Sequence, residues 1–206
     1  MRGGLYYSVL GGFGDVAKYL VEKNADLTIQ DINGDNCLHI ACQARSKELV
    51  LWMMLEGVEY EQPNSMEKQP GDEQPEMKLF IAEISEEYRC FKQLPTEDIK
   101  RLRELFAELD YNKSKTIDSD KSAKFNKFID KRVSTFIAEK DADDFISDAA
   151  ILDGENVSLD EWIYAWAKLY VSDRRIYDKF HKEYEDVTVE VGMNFKQFME
   201  AQGEEY

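Results

Sequence analysis

The stretch Asp31-Ile-Asn-Gly-Asp-Asn-Cys-Leu-His-Ile-Ala41 combines a turn signal with the first residues of an apolar segment. The dipeptide Asn33-Gly34 favours a turn because both residue types tolerate the backbone angles that tight turns need. The apolar spacing from Leu38 predicts a first helix, and the spacing from Leu49 predicts a second one after a further turn. The stretch therefore predicts a loop followed by a helix-turn-helix unit.

The same pattern occurs twice, at a spacing of 33 residues. The second helices are expected to place Val16, Tyr19 and Leu20, or Leu49, Val50, Trp52 and Met53, on their packed faces. A period between 20 and 50 residues is typical of proteins built from stacked supersecondary units. The matched pairs are Leu5 and Leu38, Val16 and Leu49, Tyr19 and Trp52, Leu20 and Met53, Ala25 and Val58, and Asp26 and Glu59.

This period and the opening of the second copy resemble the ankyrin repeat, whose units begin with T-P-L-H-x-A after a loop. Cys37 stands where the ankyrin unit usually has proline, and the first copy has Gly-Gly-Leu-Tyr in place of T-P-L-H. The resemblance implies stacked helix pairs that bind proteins and carry out no chemistry. It also implies that His39 hydrogen-bonds the loop backbone. Cys37 and Cys42 are predicted to be buried thiols.

Two ankyrin units are fewer than the three or so that stacked repeats usually need for stability. The chain is therefore expected to be a fragment or isoform of a longer repeat protein, or else its units lean on the C-terminal half. Pro63, Pro70 and Pro75, together with Gly71, predict a linker over residues 61–76.

Beyond the linker the pattern becomes helical. A helix is expected from Thr96, as its N-cap, to Leu109, with further helical stretches at 123–139, 141–149, 159–170, 174–185 and 194–201. The predicted fold is mainly all-α. Its predicted parts are residues 1–62 as two ankyrin units, the first incomplete, 63–94 as a linker followed by a segment that fits a strand or a helix, and 95–206 as a second helical domain.

The helix 96–109 leads into a segment with the spacing of a calcium-binding loop. Side-chain or backbone oxygens are available at loop positions 1, 3, 5, 7 and 9, and position 8 is apolar, as in the EF hand. Lys115 replaces the glycine of position 6, and Lys121 replaces the bidentate glutamate of position 12. We expect calcium binding weaker than about 10⁻⁴ M, or none. The candidate metal ligands are Asp110, Asn112, Ser114, Thr116 and Asp118.

Two later segments resemble the same loop less well. The loop 150–161 ends in Glu161 and has Val157 at position 8, but Ala150 and Leu152 cannot ligate at positions 1 and 3, so it is expected to be calcium-silent. The loop 186–197 is the poorest match and fits a short strand equally well. The spacing of the three loops resembles the sarcoplasmic calcium-binding protein and calexcitin branch of the EF-hand family. That resemblance implies short β contacts between paired loops and one unpaired hand, completed by a missing fourth hand, a homodimer or docking on the repeats.

Composition narrows the functional classes. The 42 acidic residues outnumber the 26 basic ones and no basic stripe is visible, which disfavours binding to nucleic acid. No apolar run is long enough to span a membrane and no leader is recognisable, so a cytoplasmic location is expected. No catalytic motif is found, and the protein is not expected to be an enzyme.

The sequence therefore predicts an intracellular adaptor or scaffold without a cofactor, or with weakly bound calcium at most. One predicted surface is the ankyrin concave face with its loop tips, around Thr28, Gln30, Asp31 and Asn33. The other is a groove between EF-hand helices, in which Phe, Trp and Met side chains would grip an amphipathic segment. The alternative function is a calcium sensor or buffer with weak EF-hand sites.

Overall fold

The computed structural model describes residues 3–91, 93–121, 123–124, 149–172, 174, 178, 197 and 201. It divides into two compact units, Met1–Arg89 and Cys90–Tyr206. The described residues are mainly helical with one two-stranded sheet, which confirms the predicted mainly all-α fold. The predicted division into three parts stays a prediction.

The first unit contains two helix pairs that repeat one backbone structure. Helix α1 packs against α2 and α3, and α3 packs against α4. The second helix of each pair ends with the same hydrogen bond. The amide of Ala25 donates to the carbonyl oxygen of Leu20, and the amide of Val58 donates to that of Met53, both at 2.9 Å. The sequence period is therefore a structural period. The bounds of the four helices are α1 Gly4–Leu10, α2 Gly14–Glu22, α3 Cys37–Gln43 and α4 Lys47–Leu55.

The equivalent apolar faces of α2 and α4 differ in burial. Leu49 and Trp52 of α4 are 0% and 5% exposed, whereas their counterparts Val16 and Tyr19 of α2 are 50% and 57% exposed. The prediction that Val16 and Tyr19 are packed is therefore wrong. The physical reason is that α4 lies in a helix pair that is covered by its neighbour, whereas no earlier helix pair within residues 3–91 covers α2.

A third turn of the same design lies in the stretch that was predicted to be a linker. The amide of Asn64 donates to the carbonyl oxygen of Lys68 at 2.8 Å. In the turn before α3, the amide of Asp31 donates in the same way to the carbonyl oxygen of Asp35, at 2.9 Å. In both turns the first side chain accepts hydrogen bonds from the backbone two and four residues later. Residues 64–68 therefore repeat the turn 31–35 after 33 residues.

The two turns are hydrogen-bonded to each other. The amide of Ser65 donates to the carbonyl of Asn33 at 2.8 Å, and Asn64 Nδ2 donates to the carboxylate of Asp35 at 2.7 Å. His39 Nε2 lies 3.0 Å from the carbonyl oxygen of Lys68, so that this nitrogen donates across the turns. His39 therefore hydrogen-bonds the loop backbone, as expected. The loop that it contacts is the turn 64–68, which follows its own helix pair.

Helix α5, Pro75–Phe91, follows the third turn and resolves the segment that fitted a strand or a helix. Its buried residues recur at intervals of three and four, as in an amphipathic helix with one packed face. Lys47 of α4 lies over the ring of Phe80, with Nζ 5.1 Å from the ring centroid, which places α5 beside the second helix pair. The buried side chains of α5 are Met77, Phe80, Ile81 and Ile84.

The described part of the second unit consists of α6 Thr96–Leu109, β1 Thr116–Ile117, β2 Val157–Ser158 and α7 Leu159–Ser172. The strands are antiparallel, with Ile117 opposite Val157. Pro95 rather than Thr96 precedes the first turn of α6, and its carbonyl accepts from the amide of Ile99, so the predicted N-cap is wrong by one residue. The predicted helix 159–170 is confirmed. The loop 186–197, apart from Gln197, and most of the other predicted helical stretches lie outside the described residues.

Candidate functional site

A groove opens in the first unit between α1, the loop before α3, and α3 itself. It is small, with a cavity volume of about 40 Å³, and Tyr6, Ile29 and Ile40 line it from these three elements. Of the four predicted partner-contact residues, Gln30 and Asp31 line the groove, and Thr28 and Asn33 are exposed on the same loop.

Hydrogen bonds hold this loop in a defined conformation. Asp26 Oδ1 accepts from the amide and the hydroxyl of Thr28, at 2.8 and 2.6 Å, and these bonds lower the pKa of the Asp26 carboxyl. Asp31 Oδ1 accepts from the amides of Asn33 and Asp35, at 2.7 and 3.2 Å. Asp31 is therefore a turn-forming residue as well as part of the groove wall.

Two exposed isoleucines on the loop were missed by the sequence reasoning. Ile32 is 89% exposed and Ile29 is 51% exposed. Isolated exposed apolar residues are ordinary, but these two lie on a loop whose backbone is fixed and beside a groove with three carboxylates, those of Asp26, Asp31 and Asp35. The available signal was an apolar residue within the polar turn 31–35 and a second one two positions before that turn. The arrangement offers apolar contact together with negative charge.

The second unit brings three of the five predicted metal ligands together around a lysine. The ammonium of Lys121 lies 2.5 Å from Asp110 Oδ1 and 2.6 Å from both Ser114 Oγ and the carbonyl oxygen of Thr116. We call these three oxygens the Lys121 cage. Lys121 is 1% exposed, which makes it one of the most buried large side chains described. Sequence reasoning identified the residues of the cage but not its occupant.

The other two predicted ligands have other roles. Asp118 Oδ1 accepts from the amide of Lys121 at 2.9 Å and so caps the helical turn that begins after it. Asn112 is exposed, and its Oδ1 accepts from the amide of Ser114 at 3.3 Å. Of the five residues, three share the Lys121 ammonium, and the hydrogen bonds described for the other two lie within their own turns.

Glu161 occupies the corresponding place in the loop 150–161. Its two carboxylate oxygens accept from the amides of Leu152 and Ser158, both at 2.8 Å, and its side chain is buried. Burial raises the pKa of the Glu161 carboxyl, and the hydrogen bonds from Ser158 and Leu152 offset part of this shift. Each carboxylate oxygen of Glu161 thus already accepts one backbone hydrogen bond within its own loop.

Neither loop fits the calcium ion that its sequence resemblance implies. In the first loop an ammonium group lies among the oxygens, and in the second Ala150 is buried in the hydrophobic core. Within the described part of the chain, no three His, Cys, Asp or Glu side chains form a group that could hold a metal ion.

Three aromatic side chains of the second unit, those of Phe106, Trp162 and Trp166, are core residues. Phe106, Trp162 and Trp166 are 6%, 3% and 4% exposed, and Trp162 Nε1 donates to the carbonyl of Leu102 in α6 at 3.1 Å. These three side chains are therefore not exposed to a partner, and the predicted groove between EF-hand helices stays a prediction. They instead join α6 to α7.

Cys37 and Cys42 are buried free thiols, as predicted. Burial raises the pKa of Cys37 to about 11, with a further contribution from the charge of Asp26, and raises the pKa of Cys42 to about 12. Among the described helices, none has the length and apolar character required to cross a membrane.

Comparison with known proteins supports one part of this description. A family model described as ankyrin repeats (many copies) matches residues 14–53, which run from the start of α2 into α4. No curated protein and no solved structure matches the chain. Residues 14–53 of the first unit are therefore similar to ankyrin repeats.

Proposed function

We propose that this protein is an adaptor that binds a protein partner through the groove and loop of its first unit. The similarity of residues 14–53 to ankyrin repeats supports protein–protein interaction as the general function. The observation that carries the proposal is Ile32, an apolar side chain that is 89% exposed on a hydrogen-bonded loop. A rigid loop loses little conformational entropy on binding, so burial of this side chain would contribute mainly to affinity.

The partner is inferred to present basic and apolar side chains together. The carboxylates of Asp26, Asp31 and Asp35 lie around the groove, and complementary charge favours both encounter and specificity. The hydrogen bonds of Thr28 keep Asp26 ionised to lower pH than an ordinary aspartate. Lysine or arginine beside an aliphatic or aromatic residue is therefore the expected recognition pattern.

For the second unit we propose a pair of EF-hand-like loops with a structural role, without a catalytic function. The pairing of Ile117 with Val157, the apolar position 8 of each loop, supports this assignment. The contacts of Lys121 and Glu161 support a pair that does not respond to calcium. A cytoplasmic location and a homodimer through the third loop belong to the same proposal, and sedimentation of the full chain tests the dimer.

Selection of a displayed random peptide library on the full-length chain tests the adaptor function. We expect the selected peptides to combine basic and apolar residues and to bind Ile32→Ser at least tenfold more weakly than the unmodified protein, because interface anchors contribute about 2 kcal/mol or more. Leu79→Ser is the matched control, since Leu79 is 68% exposed on α5, away from the groove. Recovery of no binding peptide, or equal loss of binding in both variants, would contradict the proposal.

A further inference from the structure

We propose that Lys121 is a tethered cation that takes the place of a metal ion and holds the loop 110–121 permanently closed. This inference concerns the internal contacts of the second unit and does not depend on partner binding by the first. It uses the EF-hand assignment only to choose calcium as the test ion.

The ammonium fits the cage in number and in distance. A lysine ammonium has three donors and no acceptor, and the three cage oxygens of Asp110, Ser114 and Thr116 supply one acceptor for each of them. The distances of 2.5–2.6 Å are close to the 2.3–2.6 Å at which oxygens bind calcium. An ion of that size and the ammonium cannot occupy the cage together.

The Lys121 ammonium also neutralises the buried negative charge of Asp110. This residue is 9% exposed, and a buried carboxylate requires a partner. Its Oδ1 accepts from Lys121 Nζ and from the amide of Ser114, and its Oδ2 accepts from the amide of Lys115 at 2.8 Å. One internal cation thus neutralises Asp110 while the backbone amides fix the loop around it.

The Lys121 cage and the strand pairing between the two loops share a residue, Thr116. The carbonyl oxygen of Thr116 accepts a hydrogen bond from Lys121 Nζ. Thr116 is also the residue of β1 that lies opposite Ser158. Ser158 in turn donates its amide to Glu161. Charged side chains at position 12 of both loops therefore hold the pair together, a cation in one loop and an anion in the other.

Amide hydrogen exchange and thermal unfolding of the full chain, each in EDTA and in millimolar calcium, test the inference. For the unmodified protein we expect no effect of calcium on the unfolding temperature or on the exchange of the Ser114 and Lys115 amides. Lys121→Met should lower the unfolding temperature by roughly 10 °C in both buffers, because it leaves Asp110 buried without its cation. Lys124→Met is the control, and its loss should be under about 3 °C, since its ion-pair partner Asp120 is 71% exposed and its Nζ also donates to the hydroxyl of Tyr111 rather than to a buried carboxylate.

Lys121→Glu provides the converse test. It places a second carboxylate beside Asp110, so this variant should be destabilised in EDTA and should regain stability on addition of calcium. A calcium-dependent rise in unfolding temperature of the unmodified protein would overturn the inference. Equal losses in Lys121→Met and Lys124→Met would overturn it as well. If Lys121→Glu does not fold, calcium calorimetry on the unmodified protein decides the matter, because heat of binding contradicts the inference and its absence up to millimolar calcium supports it.

Discussion

Cys42 is fully buried in α3, and burial raises the pKa of its thiol to about 12 from the usual 9.0. Below pH 9 the thiol is neutral in both the folded and the unfolded chain, so the stability that it contributes is fully present. Above pH 9 the unfolded chain releases the proton while the folded chain retains it. The free energy of unfolding is therefore expected to fall as the pH rises from about 9 toward the raised pKa.

Comparison of the unmodified protein with Cys42→Ala by urea unfolding at pH 9 and pH 10 checks this prediction. We expect the stability advantage of the unmodified protein to shrink by about 1 kcal/mol over that interval. Tyrosine and lysine titration affects both proteins and cancels in the difference. A constant difference would show that the thiol titrates normally in the folded state.

Gly34 and Glu67 occupy the same position in the turns 31–35 and 64–68, at φ of +77° and +60°. Gly34→Ala would place a Cβ atom 2.9 Å from the backbone nitrogen of Ser65, so we expect a loss of about 2 kcal/mol in urea unfolding. Glu67→Gly should instead stabilise by about 0.5 kcal/mol, because relief of the left-handed conformation slightly exceeds the entropy cost of glycine. Changes of the same sign would contradict the equivalence of the two turns.

At the scale of the elements, equivalent helices make different contributions to stability. Leu49 of α4 is fully buried and Val16 of α2 is half exposed, although the two positions match in the repeat. Leu49→Ala is expected to lower the free energy of unfolding by about 3 kcal/mol through the cavity that it creates, and Val16→Ala by less than about 0.5 kcal/mol. Urea unfolding followed by tryptophan fluorescence measures both, and equal losses would show that α2 is covered as completely as α4.

For the whole molecule the dominant property is the net charge of −16. Repulsion among like charges opposes the compact state, and salt screens it, since the Debye length falls from about 30 Å at 0.01 M to about 8 Å at 0.15 M. The unfolding temperature is therefore expected to rise by a few degrees when sodium chloride is raised from 0.01 M to 0.15 M. Potassium chloride should give roughly the same rise, because screening depends on ionic strength. The loss caused by Lys121→Met should persist at both salt concentrations, because a buried ion pair is poorly screened. A fall in unfolding temperature with added salt would contradict the prediction.

Much of the architecture could be predicted from local pattern, because turns and amphipathic helices are specified by residues close together in the sequence. The 33-residue period correctly located the two helix pairs, and the apolar residues Ile117 and Val157 were identified at the same loop position before the structure paired them. The turn 64–68 was missed because Asn64 alone repeats the signal of Asp31, within a stretch whose prolines suggested a linker.

The remaining features depend on which groups the folded backbone brings together, either from distant parts of the chain or within one loop. The periodicity of α2 defines an apolar face, but burial of Val16 requires a neighbouring helix that periodicity cannot reveal. Likewise, the residue types of the loop 110–121 placed an ammonium beside candidate calcium ligands, but only the folded loop decides where that ammonium lies. It lies among the three oxygens because the backbone brings Asp110, Ser114 and Thr116 around the start of the following helical turn, where Lys121 completes their hydrogen bonds. Local sequence thus determined the elements and the chemistry available to them. The tertiary structure determined which groups are buried and what they bind, because burial and hydrogen bonding depend on where the folded backbone places each side chain.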